Sequence, residues 1–97
     1  LSIKNYYSIY MANFNVKIQI SSLPGVLDPT AAAILRALPA LNFQGVTNAQ
    51  VGKTITFDLE STNENSAKEE VEKMCEELLA NPVIEVYSFD INESANA

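Results

Sequence analysis

The chain has 97 residues, 47% of them hydrophobic and 19% charged, which is the composition of one folded domain rather than of a disordered segment. Its net charge of −6 leaves no excess of positive charge for binding nucleic acid or an anionic membrane. The sequence has no histidine and a single cysteine, which excludes a Ser-His or Cys-His catalytic pair and an internal disulfide bond. These features favour a cytoplasmic protein with neither nucleic acid nor membrane as a partner.

The two ends of the chain look different from its middle. Residues 1–10 are rich in tyrosine and isoleucine but lack the compact apolar run and the cleavage site of a signal peptide. Met11 directly precedes a regular strand pattern, so we interpret residues 1–10 as an N-terminal extension or a cloning remnant. Residues 11–91 are predicted to form the single domain, and residues 92–97 a frayed C-terminal tail. No apolar run approaches the roughly 20 residues that span a bilayer.

The first strand and the first helix have clear local signals. Apolar and polar residues alternate strictly from Phe14 to Ile20, which predicts a half-buried strand. Asp28 precedes Pro29, and a carboxylate followed by proline is typical of a helix N-cap and first helical residue. The apolar spacing predicts a helix that ends between Leu38 and Leu41, with Asn42 adopting the left-handed conformation that closes it.

The middle of the chain is predicted to form a β-hairpin. A weak alternation over Gln44–Val51 suggests a second strand, and a clear alternation over Thr54–Glu60 predicts a third. Gly52 and Lys53 are the expected turn residues between these two strands.

A second helix and a last strand complete the predicted elements. Ser66 and Glu69 have the spacing of a capping box, so we expect the helix to begin at Ser66 and to stop at Asn81-Pro82. The last strand is expected over Val83–Ile91. An apolar stripe at helical spacing runs along the helix, formed by Ala67, Val71, Met74, Cys75, Leu78 and Leu79.

The order β-α-β-β-α-β predicts a single small α+β domain, an antiparallel sheet with two helices packed on one face. The last strand carries apolar residues on both faces, with Tyr87, Phe89 and Ile91 on one side and Ile84 and Val86 on the other. Because helices would cover only one face, the other should need a partner. We therefore expect a homo-oligomer.

Single residues with chemical potential are each better explained by structure. Asp28 is expected to be an N-cap rather than a catalytic carboxylate, and Lys53 a turn or interface lysine rather than a phosphate ligand, because one glycine does not make a phosphate loop. Cys75 lies on the apolar stripe without a basic neighbour, so a buried, unreactive thiol is expected. The glutamates of the second helix are read as its solvated face, since no loop would converge them on a metal. We predict no catalytic, cofactor-binding or metal-binding residues in this chain.

Three strings of the sequence closely resemble the signatures of the PurS family. They are PGVLDP at residues 24–29, VGK at residues 51–53 and MCEELLANPVIE at residues 74–85, and the resemblance extends over essentially the whole domain. Gln50 stands where the family commonly has an arginine. The residues that we regard as the structural signature are Pro24, Gly25, Asp28, Pro29, Asn81 and Pro82.

The resemblance implies a role in de novo purine biosynthesis as the small subunit of phosphoribosylformylglycinamidine (FGAM) synthase. A glutaminase subunit of that enzyme releases ammonia, and a large synthetase subunit uses ATP and Mg to form the amidine from formylglycinamide ribonucleotide. The small subunit, a dimer or tetramer without catalytic activity of its own, bridges the two. Its expected interface residues are Gly52, Lys53, Ile84, Val86, Tyr87 and Phe89.

Two other functions fit the same order of elements. Domains of this type also serve as dimeric receptors that sense small ligands, but such a receptor would need a glycine-rich first loop, and Gly25 is the only glycine there. A small phosphatase would need an arginine cradle, and the sole arginine, Arg36, lies within the first helix.

Overall fold

The protein is an α+β domain with a three-stranded sheet. The computed structural model describes residues 11–94. The elements are β1 (Ala12–Ser22), α1 (Pro29–Ala40), β2 (Gly52–Ser61), α2 (Glu64–Met74), a π-helical turn (Cys75–Leu79) and β3 (Glu85–Glu93). The strands are antiparallel and lie in the order β2-β1-β3, so the predicted α+β class with an antiparallel sheet and two helices is confirmed. Residues 1–10 and 95–97, for which an extension and a tail were expected, lie outside the described residues.

The alternation in β1 places its apolar residues in the centre of the core. Ile18 pairs with Ile55 on β2 and with Phe89 on β3, so one face of the sheet is apolar across all three strands. α2 and the π-helical turn pack on this face. The buried core consists of Phe14, Val16, Ile18, Ile20, Ala67, Val71, Cys75, Ala80 and Ile91.

The opposite face of the sheet is polar. Lys17 lies there between Thr56 and Asp90, its partners on the two neighbouring strands. Val86 is the only apolar residue that β3 adds to this face, since Ile84 precedes the strand. The apolar second face expected for the last strand is therefore much smaller than its sequence suggested.

The segment between α1 and β2 contradicts the predicted second strand. Residues 44–51 contain no strand, and Gly52 and Lys53 are the first residues of β2 rather than a hairpin turn. Gly45 and Asn48 have positive φ angles of 86° and 57°. These left-handed conformations break the extended backbone that a strand needs, so residues 44–51 form an exposed loop.

α1 has the predicted ends but not the predicted position. The Asp28 side chain accepts a hydrogen bond from the Ala31 N–H at 3.0 Å, and Asn42 closes the helix with a φ of 71°. The Phe43 N–H donates to the Leu38 carbonyl at 2.9 Å, which completes a Schellman motif. Ala31 is the one residue of α1 that is buried. α2 packs on β2 and β3, whereas α1 extends away from the sheet, so the expectation of two helices on one face is wrong for α1.

α2 begins earlier than predicted. Asn63, not Ser66, is the N-cap, because its side chain accepts a hydrogen bond from the Ser66 N–H at 2.8 Å. The Ser66 hydroxyl instead accepts a hydrogen bond from Thr62 Oγ1 at 3.1 Å. β3 also differs in its bounds, since it starts and ends two residues later than the predicted strand.

A π-helical turn continues α2. The Ala80 N–H donates to the carbonyl of Cys75 at 3.0 Å, five residues back. The wider turn rotates the apolar stripe, which leaves Leu78 81% exposed, although Cys75 remains buried as predicted.

Candidate interaction surfaces

Residues 23–51 form a protruding arm that consists of a turn, α1 and a loop. The arm is fixed at both ends. Where it leaves β1, the Leu23 N–H donates to the Ile84 carbonyl at 2.9 Å. Where it enters β2, the Val51 N–H donates to Asp28 Oδ2 at 3.3 Å. Hydrogen bonds from the backbone of Ala31 and then of Val51 hold the pKa of Asp28 below its ordinary value. Asp28 is therefore a structural carboxylate, as its place before proline indicated.

Gly52 and Lys53 lie at the root of this arm. Gly52 pairs with Ser21, and a Cβ atom at Gly52 would lie 2.5 Å from the Ile20 carbonyl oxygen, so the close approach of β1 and β2 requires glycine here. Lys53 is exposed. Of the expected interface residues, the structure brings four to one open pocket of about 440 Å³, namely Gly52, Lys53, Val86 and Tyr87, and Gln50 also lines it.

The apolar residues around β3 fall into two groups. Ile84, just before β3, is 44% exposed, and Val86, on the face of the sheet away from α2, is 40% exposed. Tyr87 and Phe89 are half-buried on the α2 side, where their rings stack with centroids 6.4 Å apart. The Tyr87 hydroxyl donates to Glu76 Oε1 at 2.9 Å, and this bond to a carboxylate raises the pKa of Tyr87 to about 12. Ile84 and Val86 are thus the accessible pair.

Asn81 shapes the turn that presents Ile84. Its carbonyl accepts hydrogen bonds from the N–H groups of Ile84 at 3.0 Å and Glu85 at 2.7 Å. Its side chain accepts from the Val83 N–H at 3.1 Å, and its own N–H donates to Glu85 Oε1 at 2.7 Å. Asn81 therefore holds Val83 and Ile84 at the surface. These bonds give Asn81, the first residue of the Asn81-Pro82 pair, a structural role.

Sequence reasoning missed an apolar groove. It runs between β2 and the π-helical turn, has a volume of about 470 Å³ and carries Asp58 and Glu77 among its lining residues. We name it the β2 groove; its apolar lining residues are Ile55, Phe57, Leu59, Met74, Leu78 and Leu79. The sequence signal for this groove was the apolar stripe of the second helix, because the stripe extends beyond the buried core to the exposed Leu78.

The acidic side chains and the single cysteine are the remaining groups that could take part in chemistry. Within residues 11–94, no group of three or more Cys, Asp or Glu side chains is arranged to hold a metal ion. Burial, followed by the charges of Glu76 and Glu72, raises the pKa of the Cys75 thiol, so the nucleophilic thiolate is disfavoured. Of the helices formed by these residues, none is both long enough and apolar enough to cross a membrane.

Comparison with known proteins identifies the family. The PurS family model, described as phosphoribosylformylglycinamidine (FGAM) synthase, matches residues 15–93. The chain belongs to the PurS family. The PurS subunit of Methanocaldococcus jannaschii is 41% identical over 85 residues, a match that covers 88% of this chain and 98% of the relative. The PurS subunit of Synechocystis is 38% identical over 79 residues, covering 81% of this chain and 79% of the relative.

Solved PurS structures share the fold. The crystal structure of M. jannaschii PurS, described as one of the subunits of formylglycinamide ribonucleotide amidotransferase in the purine biosynthetic pathway, gives a TM-score of 0.74 at 40% identity and covers 84% of this chain and 98% of that chain. A chain in the structure of PurLQS from Thermotoga maritima gives a TM-score of 0.73 at 35% identity, with the same two coverages. The ligand-sensing receptor considered above is not supported by these matches.

Proposed function

We propose that this chain is the PurS subunit of an FGAM synthase and acts as an accessory subunit without chemistry of its own. The observation that carries the proposal is the match to PurS over residues 15–93, together with the likeness to a chain of the T. maritima PurLQS structure. Catalysis then belongs to the other subunits.

The proposed task is to bridge a glutaminase subunit and a large synthetase subunit. Ammonia released by the first must reach the second without being protonated or lost to water, so a subunit that fixes the two active sites relative to each other contributes to the rate. ATP and Mg act in the synthetase subunit, and this chain binds neither. The complex works in the cytoplasm, where its soluble substrates are found.

The arm supports a homo-oligomeric state of this subunit. Its exposed apolar side chains have no cover in the single chain, and a domain this small gains stability from burying them. They include Val26, Leu27, Ile34, Leu41, Phe43 and Val46.

The root of the arm is the surface that we assign to the other subunits. Lys53 places a cation in the pocket that Val86 and Tyr87 also line, on a chain of net charge −6, so it can steer an acidic patch of a partner toward this surface. The partner subunit would then contact both the charged Lys53 and the exposed apolar side chains of Ile84 and Val86. Tyr87 and Phe89 support this surface from the α2 side.

Reconstitution tests the proposed function. The purified chain is mixed with the glutaminase and synthetase subunits, and glutamine-dependent formation of the amidine product is measured with and without it. We expect no ATP or glutamine hydrolysis by the chain alone and restored turnover in the mixture. The proposal fails if the mixture works equally well without this chain. It also fails if the chain alone hydrolyses ATP or glutamine and a point mutation within it abolishes that activity.

A further inference from the structure

The segment that joins the π-helical turn to β3 exposes apolar side chains. We name residues 80–85 the β3 turn. Val83 is 78% exposed and Ile84 is 44% exposed, although Ala80 at the start of the turn is buried. Two adjacent apolar side chains that are this exposed gain free energy when a partner removes them from water. The β3 turn is therefore a candidate contact surface.

The backbone of the β3 turn is fully hydrogen-bonded. Every residue of the turn except Pro82 has an N–H group, and each of these groups donates: Ala80 to Cys75, Asn81 to Glu85, and Val83, Ile84 and Glu85 to Asn81. The Leu23 N–H in addition donates to the Ile84 carbonyl at 2.9 Å. Because no backbone donor of the turn is free, its apolar side chains are held in place before a partner binds, which reduces the entropy lost on binding.

The β3 turn and the β2 groove lie at opposite edges of the sheet. The strand order β2-β1-β3 places the two edges on either side of β1. Leu78 lines the groove at the β2 edge, whereas Val83 leads into the strand at the other edge. The two residues are similarly exposed, at 81% and 78%, but belong to separate surfaces.

The surroundings of the β3 turn are acidic. Glu85 closes the turn by accepting the Asn81 N–H at 2.7 Å, and Glu76 contacts β3 through the Tyr87 hydroxyl at 2.9 Å. The sequence contains no lysine or arginine after Lys73. A surface that receives this turn therefore needs basic groups around an apolar cleft.

A second copy of this chain is a poor partner for the β3 turn. Asp58 and Glu77 line the β2 groove, so they would repel Glu85 of an incoming turn. Two β3 turns placed against each other would bring two Glu85 carboxylates together, on chains that each carry a net charge of −6. Charge thus favours a different protein.

We propose that the β3 turn inserts Val83 and Ile84 into an apolar cleft with a basic rim on another subunit of the enzyme. This inference rests on the proposed function and names the chemistry of one contact within it. It extends the surface at the root of the arm, to which Ile84 already belongs. Asn81 is the positioning residue, since its side chain and carbonyl fix the backbone of both apolar residues.

Assembly of the three-subunit complex tests the apolar contact. The chain is titrated into the purified glutaminase and synthetase subunits, and sedimentation measures the concentration that gives half-complete assembly. Val83→Ser should raise this concentration about tenfold while leaving the melting temperature and the homo-oligomer unchanged. Leu78→Ser, the matched control in the β2 groove, should change it by less than about twofold. Equal effects of the two variants, or normal assembly of Val83→Ser, would overturn the proposal.

The positioning role of Asn81 has its own test. Asn81→Ala removes the side-chain acceptor of the Val83 N–H but keeps Val83, whereas Asn81→Asp retains an oxygen at that place. Asn81→Ala should weaken assembly several-fold, and Asn81→Asp should restore most of the loss. An Asn81→Ala chain that assembles as the wild type does would overturn this role.

Glu85→Gln tests the basic rim. Glutamine keeps an oxygen that can accept the Asn81 N–H but carries no charge. Assembly at low salt should weaken about threefold, and the difference from the wild type should disappear at high salt. Glu93→Gln, at an exposed acid near the far end of β3, should leave assembly unchanged. Unchanged or tighter assembly of Glu85→Gln at low salt would exclude a basic rim.

Failure of this inference is distinguishable from failure of the proposed function. If the wild-type chain restores glutamine-dependent turnover but Val83→Ser assembles normally, only the assignment of the β3 turn is wrong. If the wild-type chain restores no turnover, the proposed function itself is wrong. A Val83→Ser chain whose homo-oligomer dissociates would give the turn to a second copy and overturn the proposed partner.

Discussion

Asp28 Oδ2 accepts a hydrogen bond from the backbone N–H of Val51, 23 positions later in the chain, at a distance of 3.3 Å. The other carboxylate oxygen of Asp28 caps α1 through the Ala31 N–H. One side chain therefore starts the helix of the arm and also ties it to the strand that follows. The two bonds together hold the start of α1 against the start of β2.

The first prediction is that a substitution of Asp28 can remove one of its two hydrogen bonds and keep the other. Asp28→Ser retains one oxygen that can cap α1 but has no second acceptor for Val51, so the helix should persist while the root of the arm loosens. Amide exchange of Val51 should become about tenfold faster, and the homo-oligomer should weaken. Asp28→Ala, which removes both bonds, should also lower helicity. If the amide exchange rate of Val51 is unchanged in Asp28→Ser, the hydrogen bond to Val51 contributes nothing to the stability of this part of the chain.

The lowered pKa of Asp28 predicts a pH dependence. Because the folded state favours the ionised carboxylate, its contribution to stability is present above the ordinary pKa of about 3.8 and is lost as pH falls through the lower folded value. The difference in melting temperature between the wild type and Asp28→Asn should therefore be constant near neutral pH and shrink below about pH 4. A difference that persists in acid would mean that the carboxylate charge is not responsible.

Local features of this fold could be predicted from the sequence, whereas long-range ones could not. The alternation of β1, the Asp28 N-cap and the closing role of Asn42 depend on neighbouring residues alone, and all three are confirmed. Ser66 and Glu69 have the spacing of a capping box and predict an N-cap at Ser66, but Asn63 also has a capping side chain, and local rules do not choose between the two. The position of α1 depends on hydrogen bonds from Leu23 and Val51 that join distant segments.

The candidate site shows the same limit. Gly52 and Lys53 were expected at a hairpin turn because apolar and polar residues alternate weakly over residues 44–51, which suggested a strand before them. A pattern of residue types does not reveal the positive φ angles of Gly45 and Asn48, which exclude that strand. Periodicity located the apolar stripe of the second helix. It could not show that a π-helical turn leaves Leu78 outside the core, and so the β2 groove was not foreseen.

Substitution of Gly52 should destabilise the fold by crowding. The residue does not have the positive φ that a hairpin turn would need; instead, a Cβ would meet the Ile20 carbonyl oxygen at 2.5 Å. Since this oxygen belongs to the backbone, Gly52→Ala should cost about 1–3 kcal/mol in the free energy of unfolding. Thr54→Ala, at an exposed position of the same strand, is the control and should change stability by less than about 1 kcal/mol. Chemical denaturation measures both, and equal effects would contradict the crowding argument.

The Tyr87–Glu76 hydrogen bond should be visible in an alkaline titration. Tyr87→Phe keeps the ring that stacks on Phe89 but removes the bond, which lies near solvent, so stability at neutral pH should fall by at most about 1 kcal/mol. The raised pKa means that this contribution is present below about pH 10 and is lost as pH rises toward 12. The difference in ultraviolet absorbance between the wild type and Tyr87→Phe should therefore show a titration midpoint near pH 12. When both proteins also carry Glu76→Gln, the midpoint of this difference should be lower. A midpoint near 10 would show that the bond is absent in solution.

The two faces around β3 should respond differently to charge. Ile84→Asp and Val86→Asp place a carboxylate at exposed positions, so they should leave the melting temperature nearly unchanged while weakening assembly with the other subunits. Phe89→Asp puts a charge on the half-buried α2 side and should cost roughly 2–4 kcal/mol of stability. Calorimetry and reconstituted activity separate these effects. Full activity of the Val86→Asp variant would remove this face from the proposed partner surface.

Lys53→Glu tests whether the root of the arm contacts a partner. The side chain is exposed near the start of β2, so reversing its charge should leave the melting temperature within a few degrees of the wild type. If Lys53 pairs with an acidic group of another subunit, the concentration of this chain needed for half-maximal glutamine-dependent activity should rise several-fold, and the effect should diminish at high salt. Lys68→Glu, an equally exposed reversal on α2, should leave that concentration unchanged. A Lys53→Glu protein with normal melting, full activity and unchanged concentration dependence would show that this lysine is only a solvated strand residue.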